Sequence, residues 1–300
     1  MAAVIEVEHL EKRYGSFVAV EDVTFSVEDG EIFGILGPNG AGKTTTVECL
    51  QGLRGADGGD ITVLGYDPRR DADRLRRLIG SQLQESALPD RMRVWEALKL
   101  FSSRHAEAPG WESVLVRWGL DEKRNASFGS LSGGQQQRLF VALAVANNPR
   151  LVFLDEMTTG LDPMSRRVTW ELIQQIRDAG TTVVLVTHFM DEAENLCDRI
   201  AVIDDRRVVA LDTTDGLINR YAGGARVTFS TELNDLGFLL DLAEVDSLDQ
   251  QGHRVTVTGD GALLARVAFA LAGRGIFPVD LAVKRATLED VFLTITGGEA

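Results

Sequence analysis

The sequence predicts an α/β protein: a buried, parallel-sheet core, an antiparallel β subdomain at its start, and a small α+β domain at its end. Residues 32–36, 151–154 and 182–186 are short, continuous apolar runs, the pattern of strands covered on both faces. A helical segment lies between the second and third runs, and this strand–helix–strand rhythm demands parallel pairing. The pattern breaks at Ala222-Gly223-Gly224-Ala225, and beyond it a second set of strands and helices begins.

From Val4 to Val27 the pattern alternates and is rich in Val and Phe, as in antiparallel strands. The apolar strand 32–36 runs into a glycine-rich octet and a helix. Gly58-Gly59 opens a further strand, 60–64. Arg69-Arg70 and Arg76-Arg77 are interrupted by Asp71 and Asp73 and read as a solvated helix face. From about 90 to 148 the period becomes helical: Val94, Leu98 and Phe101 share a face, as do Val114, Leu115 and Trp118. A helix over 165–179 separates strands 151–154 and 182–186. Strands 200–203 and 207–211 are joined by the turn Asp204-Asp205. After the glycine pair come a strand at 226–230, a helix around 233–242, a strand at 253–258, a helix at 262–274 and a strand near 279–283. The expected division is therefore 1–222, with a helical subdomain at about 90–148, followed by a domain at 225–300.

The 300 residues carry a net charge of −14, which argues against a nucleic-acid-binding surface, since phosphate contacts need clustered Lys and Arg. The two cysteines, Cys49 and Cys197, sit in apolar contexts without metal-ligand spacing and are expected to be buried free thiols of a reducing compartment. Glu6, Glu8 and Glu11 interrupt the N-terminus, so a secretory leader is not expected. The apolar runs fall far short of the ~20 residues that span a bilayer. A membrane role therefore requires a second chain.

Gly37-Pro38-Asn39-Gly40-Ala41-Gly42-Lys43-Thr44 fits the pattern in which backbone N–H groups cradle nucleotide phosphates. Strand before and helix after are the context that this motif requires, and the helix N-terminus adds partial positive charge. Lys43 would reach the β- and γ-phosphates, and the Thr44 hydroxyl would hold Mg²⁺. The run at 151–154 ends in Asp155-Glu156. Acids at the C-terminal end of a parallel strand face the ligand crevice. There Asp155 would bind Mg²⁺ through water and Glu156 would polarise the attacking water as general base. Leu131-Ser132-Gly133-Gly134-Gln135 leads into another helix and makes a second anion-binding helix N-terminus. One nucleotide can use both ends if the second comes from another copy, which points to a head-to-tail dimer with two ATP molecules sandwiched between subunits.

The ordered set G-P-N-G-A-G-K-T-T (Gly37 to Thr45), L-S-G-G-Q-Q-Q-R, L-V-F-L-D-E and G-L-D-P, followed by a histidine after an apolar strand, resembles the nucleotide-binding subunits of ABC transporters over residues 4–220. The resemblance implies the P-loop ABC ATPase fold. By matching position, Tyr14 would stack on adenine and Gln84, followed by Glu85, would touch Mg²⁺ and the attacking water; Gln82 lies close by. Asp162, after Leu161, would belong to the loop that crosses the dimer interface, and His188 would contact the γ-phosphate. His9, His105 and His253 read as surface or structural. The family usually carries proline after the catalytic glutamate, where this chain has Met157, which leaves that backbone freer.

Thr287-Leu288-Glu289-Asp290-Val291-Phe292-Leu293 reads by period as an amphipathic helix packing Leu288, Val291 and Phe292. It also resembles the closing segment of daunorubicin-resistance-type exporter ATPases, which implies a regulatory or assembly role. The resemblance as a whole implies an ATP-hydrolysing subunit, with ATP and Mg²⁺ as cofactors, that powers export of a small, hydrophobic drug or antibiotic. Its partners would be a separate integral-membrane permease and a second copy, at the cytoplasmic face of the membrane. The alternatives are another cargo (lipid, polysaccharide or import) and a soluble ABC-type ATPase of translation or DNA repair. The single ATPase unit, the lack of heptad insertions and the acidic balance weigh against the soluble type.

Overall fold

The computed structural model describes residues 3–82, 88–102, 110–222, 224–233, 235–259, 261–284 and 286–297. The chain divides into two compact units, one reaching Thr213 and the other starting at Thr214.

The first unit opens as a long hairpin, β1 (Ala3–Tyr14) with β2 (Phe17–Glu28), whose alternation buries Ile5, Val7, Leu10, Val20, Val23 and Phe25. β3 (Ile32–Leu36) is buried at every position and runs into the glycine loop and α1 (Lys43–Leu50). β4 (Gly58–Val63) returns antiparallel beside β1. α2 (Ala72–Leu78) carries the expected charged face over a single buried residue, Leu75, and leads into β5 (Ile79–Gln82). In the helical stretch, α3 (Val94–Ser102) packs against α4 (Trp111–Arg117) and α5 (Gly133–Ala144) through Val94, Leu98, Val114, Leu115 and Leu139. β6 (Leu151–Asp155), α6 (Pro163–Asp178), β7 (Thr182–Thr187), α7 (Met190–Leu196), β8 (Arg199–Asp204) and β9 (Arg207–Thr213) complete the unit.

Among the described residues nine strands form one sheet in the order β4-β1-β2-β9-β8-β3-β7-β6-β5. Its β8-β3-β7-β6-β5 part is parallel, and β4-β1-β2 is the antiparallel subdomain. β6 and β7 are buried along their whole length, because a sheet covered by helices on both faces has no solvated side. The register puts Leu36 of β3 beside Thr187 of β7, and Val186 of β7 beside Asp155 of β6. Three strand ends that carry sequence motifs therefore lie side by side at the C-terminal edge, where open α/β sheets bind ligands. Phe33 of β3 stacks on Phe25 of the hairpin at 5.2 Å, joining the two parts of the sheet in one core. Neither Cys49 nor Cys197 forms a disulfide and both are buried; burial pushes the Cys49 thiol up to about 11 and raises that of Cys197 as well.

The second unit comprises α8 (Thr214–Tyr221), β10 (Ala225–Ser230), β11 (Val245–Gln251), β12 (Arg254–Gly259), α9 (Leu263–Ala272), β13 (Ala282–Lys284) and α10 (Leu288–Ile295). Its antiparallel sheet, ordered β11-β12-β10-β13, buries Val227, Phe229, Val255 and Val257 with Val267 and Leu271 of α9. α10 buries Leu288 and Val291 and packs on α8, and a capping box between Thr287 and Asp290 starts it.

Among the described residues the helix expected around 233–242 does not form, and the stretch carries a single 3₁₀ turn, Gly237–Leu239. Thr231 Oγ1 and Asp235 Oδ1 accept from the nearby Leu233 and Gly237 N–H groups, offering the backbone a local alternative to the helix. Leu236 and Leu239 are buried, whereas Leu233 and Leu240 face solvent. β11 follows instead, as an edge strand.

Candidate active site

α1 begins where the glycine loop ends. Gly42 has φ of 101°, and a Cβ there would lie 2.5 Å from the Ala19 carbonyl oxygen, so the loop can turn against the hairpin only with glycine at that position. Lys43 is 6% exposed, and its Nζ donates to the carbonyls of Gly37 (2.8 Å) and Pro38 (3.0 Å). Burial lowers its pKa, against the raising effect of the Glu156 and Asp155 carboxylates. An open cavity of about 400 Å³ lies over the loop, lined by Asn39, Gly40, Gly42, Lys43, Thr44 and Thr45. Phe17 and Ala19 of the hairpin close one side and Glu156 another.

Asp155 is the last residue of β6 and is 2% exposed. Its pKa is pushed up to about 6, chiefly by burial and then by the neighbouring Glu156 carboxylate, while Lys43 and Thr44 act in the opposite direction. Oδ1 of Asp155 is buried with no hydrogen-bond partner, an atom that a cation or its water would satisfy. Glu156 has φ of 49°, a conformation that costs a non-glycine residue about 1–3 kcal/mol and needs its surroundings to hold it. Its N–H donates to the Val186 carbonyl at 2.9 Å, and its Oε1 lies 3.2 Å from Nδ1 of His188 just beyond β7. Behind His188, α7 buries Glu192 completely. Trp170 Nε1 donates to Glu192 Oε1 at 3.1 Å, and burial pushes the Glu192 pKa up.

Ser132 caps α5: its Oγ accepts from Gln135 N, and Gln135 Oε1 accepts from Ser132 N at 3.1 Å. The second glycine of this segment has a packing reason. A Cβ on Gly134 would meet Ser165 Oγ at 2.9 Å, so a side chain there would force the Ser165 hydroxyl at the start of α6 to shift. Asp162 caps α6, accepting from Met164 N and Ser165 N at 3.0 Å each and from Ser165 Oγ at 2.6 Å. The Ser165 hydroxyl holds its pKa below the usual carboxylate range. Ser132, Gly134 and Gln135 line a different cavity, of about 190 Å³, and not the one over the glycine loop.

The sequence-read residues thus fall into two groups. Gly37 to Thr45, Asp155, Glu156 and His188 gather at the strand ends, and Ser132 to Gln135 with Asp162 gather at the α5–α6 starts. Tyr14 is 42% exposed, and across the hairpin turn it faces Phe17, which lines the cavity over the glycine loop. Phe17 was not singled out by sequence; its place opposite Tyr14 was the available signal. Gln84 and His105 lie outside the described residues, whereas Gln82 is buried in β5.

This fold and loop define a P-loop nucleotide-binding protein. A family model described as ABC transporter matches residues 20–159. The chain is 37% identical to the daunorubicin resistance ATP-binding protein DrrA3 of Streptomyces coeruleorubidus, over 98% of this chain and 96% of that protein. It is 32% identical to the linearmycin resistance ATP-binding protein LnrL of Bacillus subtilis, over 98% of each. It is 37% identical to the Nod factor export ATP-binding protein I of Cupriavidus pinatubonensis, over 100% of this chain and 92% of that protein. A solved ATP-binding subunit of an ABC transporter superposes with a TM-score of 0.65 at 27% identity, over 72% of this chain and 92% of that one. A dimeric cassette bound to ADP and Pi superposes with a TM-score of 0.62 at 26% identity, over 70% and 98%. The chain belongs to the ABC transporter ATP-binding family. It is an ATP-hydrolysing subunit homologous to drug-resistance and export ATP-binding proteins, and no helix among the described residues is long and apolar enough to cross a membrane.

Proposed function

We propose that this ATPase powers export of a small, hydrophobic drug or antibiotic through a separate membrane permease, at the cytoplasmic face of the membrane. The observation that carries the site is the convergence of Lys43, Asp155, Glu156 and His188 on adjacent strand ends beside the glycine loop. The loop N–H groups and α1 bind the phosphates, and Lys43 exchanges its two loop carbonyls for phosphate oxygens. Mg²⁺, when bound, neutralises phosphate charge and orders water, and Thr44 with the orphaned Asp155 Oδ1 would hold it. Glu156 accepts the proton of the attacking water, and His188 orients that carboxylate through the 3.2 Å contact and presents its other ring nitrogen to the γ-phosphate. Ser132, Gly134 and Gln135 line a separate cavity in the chain, which supports a head-to-tail homodimer in which this helix start reaches the partner's nucleotide.

The cargo class rests on relatives named for daunorubicin and linearmycin resistance. A different exported cargo is the second reading, since the Nod factor export relative matches the full chain. The test is a pull-down from detergent-solubilised membranes of the source organism with tagged Glu156→Gln protein and ATP. Recovery of one stoichiometric polytopic membrane protein supports the transporter reading. Recovery of ribosomes or DNA-associated proteins contradicts it.

A further inference from the structure

His188 can hold Glu156 only as firmly as its own ring is held. Its Nδ1 lies 3.2 Å from Glu156 Oε1, yet the imidazole side chain is 35% exposed. The second side-chain torsion of histidine is broad, so a hydrogen bond at one nitrogen leaves the plane of the ring loosely set. Phe189 packs against that plane: the two ring centroids are 4.2 Å apart, with a tilt of 39°. Phe189 is itself placed from two sides. Its N–H donates to Thr187 Oγ1 at 3.0 Å, and the Arg166 guanidinium lies over its ring, 4.3 Å from the centroid. A guanidinium in that position is attracted by the negative face of the ring. Arg166 Nη1 also pairs with Asp191 Oδ2 at 3.2 Å, in the first turn of α7. One turn further along α6, Trp170 donates to Glu192. Two residues four apart on one face of α6 thus grip the start of α7.

We infer that Phe189 and Arg166 are positioning residues for His188: Arg166 fixes the Phe189 ring, and that ring sets the plane of the imidazole. The inference rests on the role proposed for His188 in hydrolysis. The contacts run in one chain, Arg166 to Phe189 to His188 to Glu156, from α6 to the carboxylate that takes the proton. Rotation of the imidazole would break its contact with Glu156 and turn its other nitrogen away from the γ-phosphate. Neither Phe189 nor Arg166 lines the cavity over the glycine loop, so their loss acts on the rate of hydrolysis and not on nucleotide affinity. The chemistry needed at 189 is a flat face that one side can offer to a cation and the other to an imidazole, which an aliphatic side chain of similar bulk does not provide.

The test is single-turnover hydrolysis of Mg²⁺-ATP, which resolves slow rates as well as fast ones, with ATP affinity determined on the same samples. Phe189→Leu and Arg166→Gln are each expected to lower the rate about three- to tenfold with affinity unchanged, because they loosen the geometry of a catalytic group without touching nucleotide contacts. Phe189→Tyr keeps the ring and should stay within about twofold of the wild type. Both losses pass through one ring, so the double variant should lose no more than the larger single loss. In a His188→Ala background neither substitution should slow hydrolysis further. An unchanged rate in Phe189→Leu, an equal loss in Phe189→Tyr, or the same fold-loss with and without His188 would overturn the inference. Lower thermal stability with the rate preserved would overturn it too, leaving a packing role alone. If His188→Ala itself hydrolyses at the wild-type rate, the role of His188 falls and this inference with it. If His188→Ala is slow and Phe189→Leu slows it further by the same factor, only the positioning role falls.

Discussion

Asp155→Asn should make the nucleotide-free protein more stable at alkaline pH while abolishing its hydrolysis. Burial raises the Asp155 pKa from 3.8 to about 6. The folded-state value lies above the unfolded one, so the group's favourable contribution is complete below pH 3.8 and is lost as pH rises through about 6. Above that, the ionised carboxylate costs about 3 kcal/mol relative to the unfolded chain. An amide carries no charge, so Asn removes most of that cost. For a domain of this size about 1 kcal/mol moves Tm by about 2–4 °C, giving an upper bound of about 6–12 °C. The assay is thermal unfolding in chelating buffer from pH 5 to pH 8. The variant should gain on the wild type across this range, and added Mg²⁺ and ATP should then stabilise the wild type far more than the variant. A constant Tm difference between the two proteins from pH 5 to pH 8 would refute the reasoning, as would a less stable variant at pH 8.

Lys43→Ala should weaken ATP binding about tenfold or more, because a desolvated charge-assisted contact to phosphate is lost; a calorimetric titration with unchanged affinity would contradict its role. Phe17→Ala should weaken ATP binding about fivefold, the low end of base–aromatic stacking expected for a half-exposed ring, and Tyr14→Ala measured in parallel shows which ring carries the base. Glu192→Gln keeps an acceptor for Trp170 Nε1 and removes a buried charge. The raised pKa means that the wild type loses stability as pH rises, so the variant's Tm should exceed that of the wild type at pH 8 and converge with it in acid. A Tm gap independent of pH would contradict this.

The parallel core was legible because strands buried on both faces give continuous apolar runs; the glycine loop, Asp155-Glu156 and Ser132 to Gln135 stood out as motifs of fixed spacing, and the first two lie together at the strand ends while the third starts α5. β5 was missed: four residues containing Gly80 and Ser81 give no periodic signal. β11 (VDSLDQQ) was missed because it is an edge strand with no fully buried position, and the leucine-rich stretch before it, 236–242, suggested a helix instead. α7 lies in an acidic stretch, Asp191 to Glu194, where nothing in the pattern separates the buried Glu192 from its solvated neighbours. The Met157 departure was visible, but the hydrogen bond its Sδ accepts from Gln137 was not, since the pairing of α5 with the end of β6 exists only in three dimensions.

The measurement that bears most directly on the account is steady-state Mg²⁺-ATP turnover of the wild type and Glu156→Gln, with nucleotide affinity determined on the same samples. The account predicts hydrolysis by the wild type, loss of about a hundredfold or more in the variant, and equal affinity in both. Near-normal turnover by Glu156→Gln would contradict the assignment of the base on which the mechanism stands.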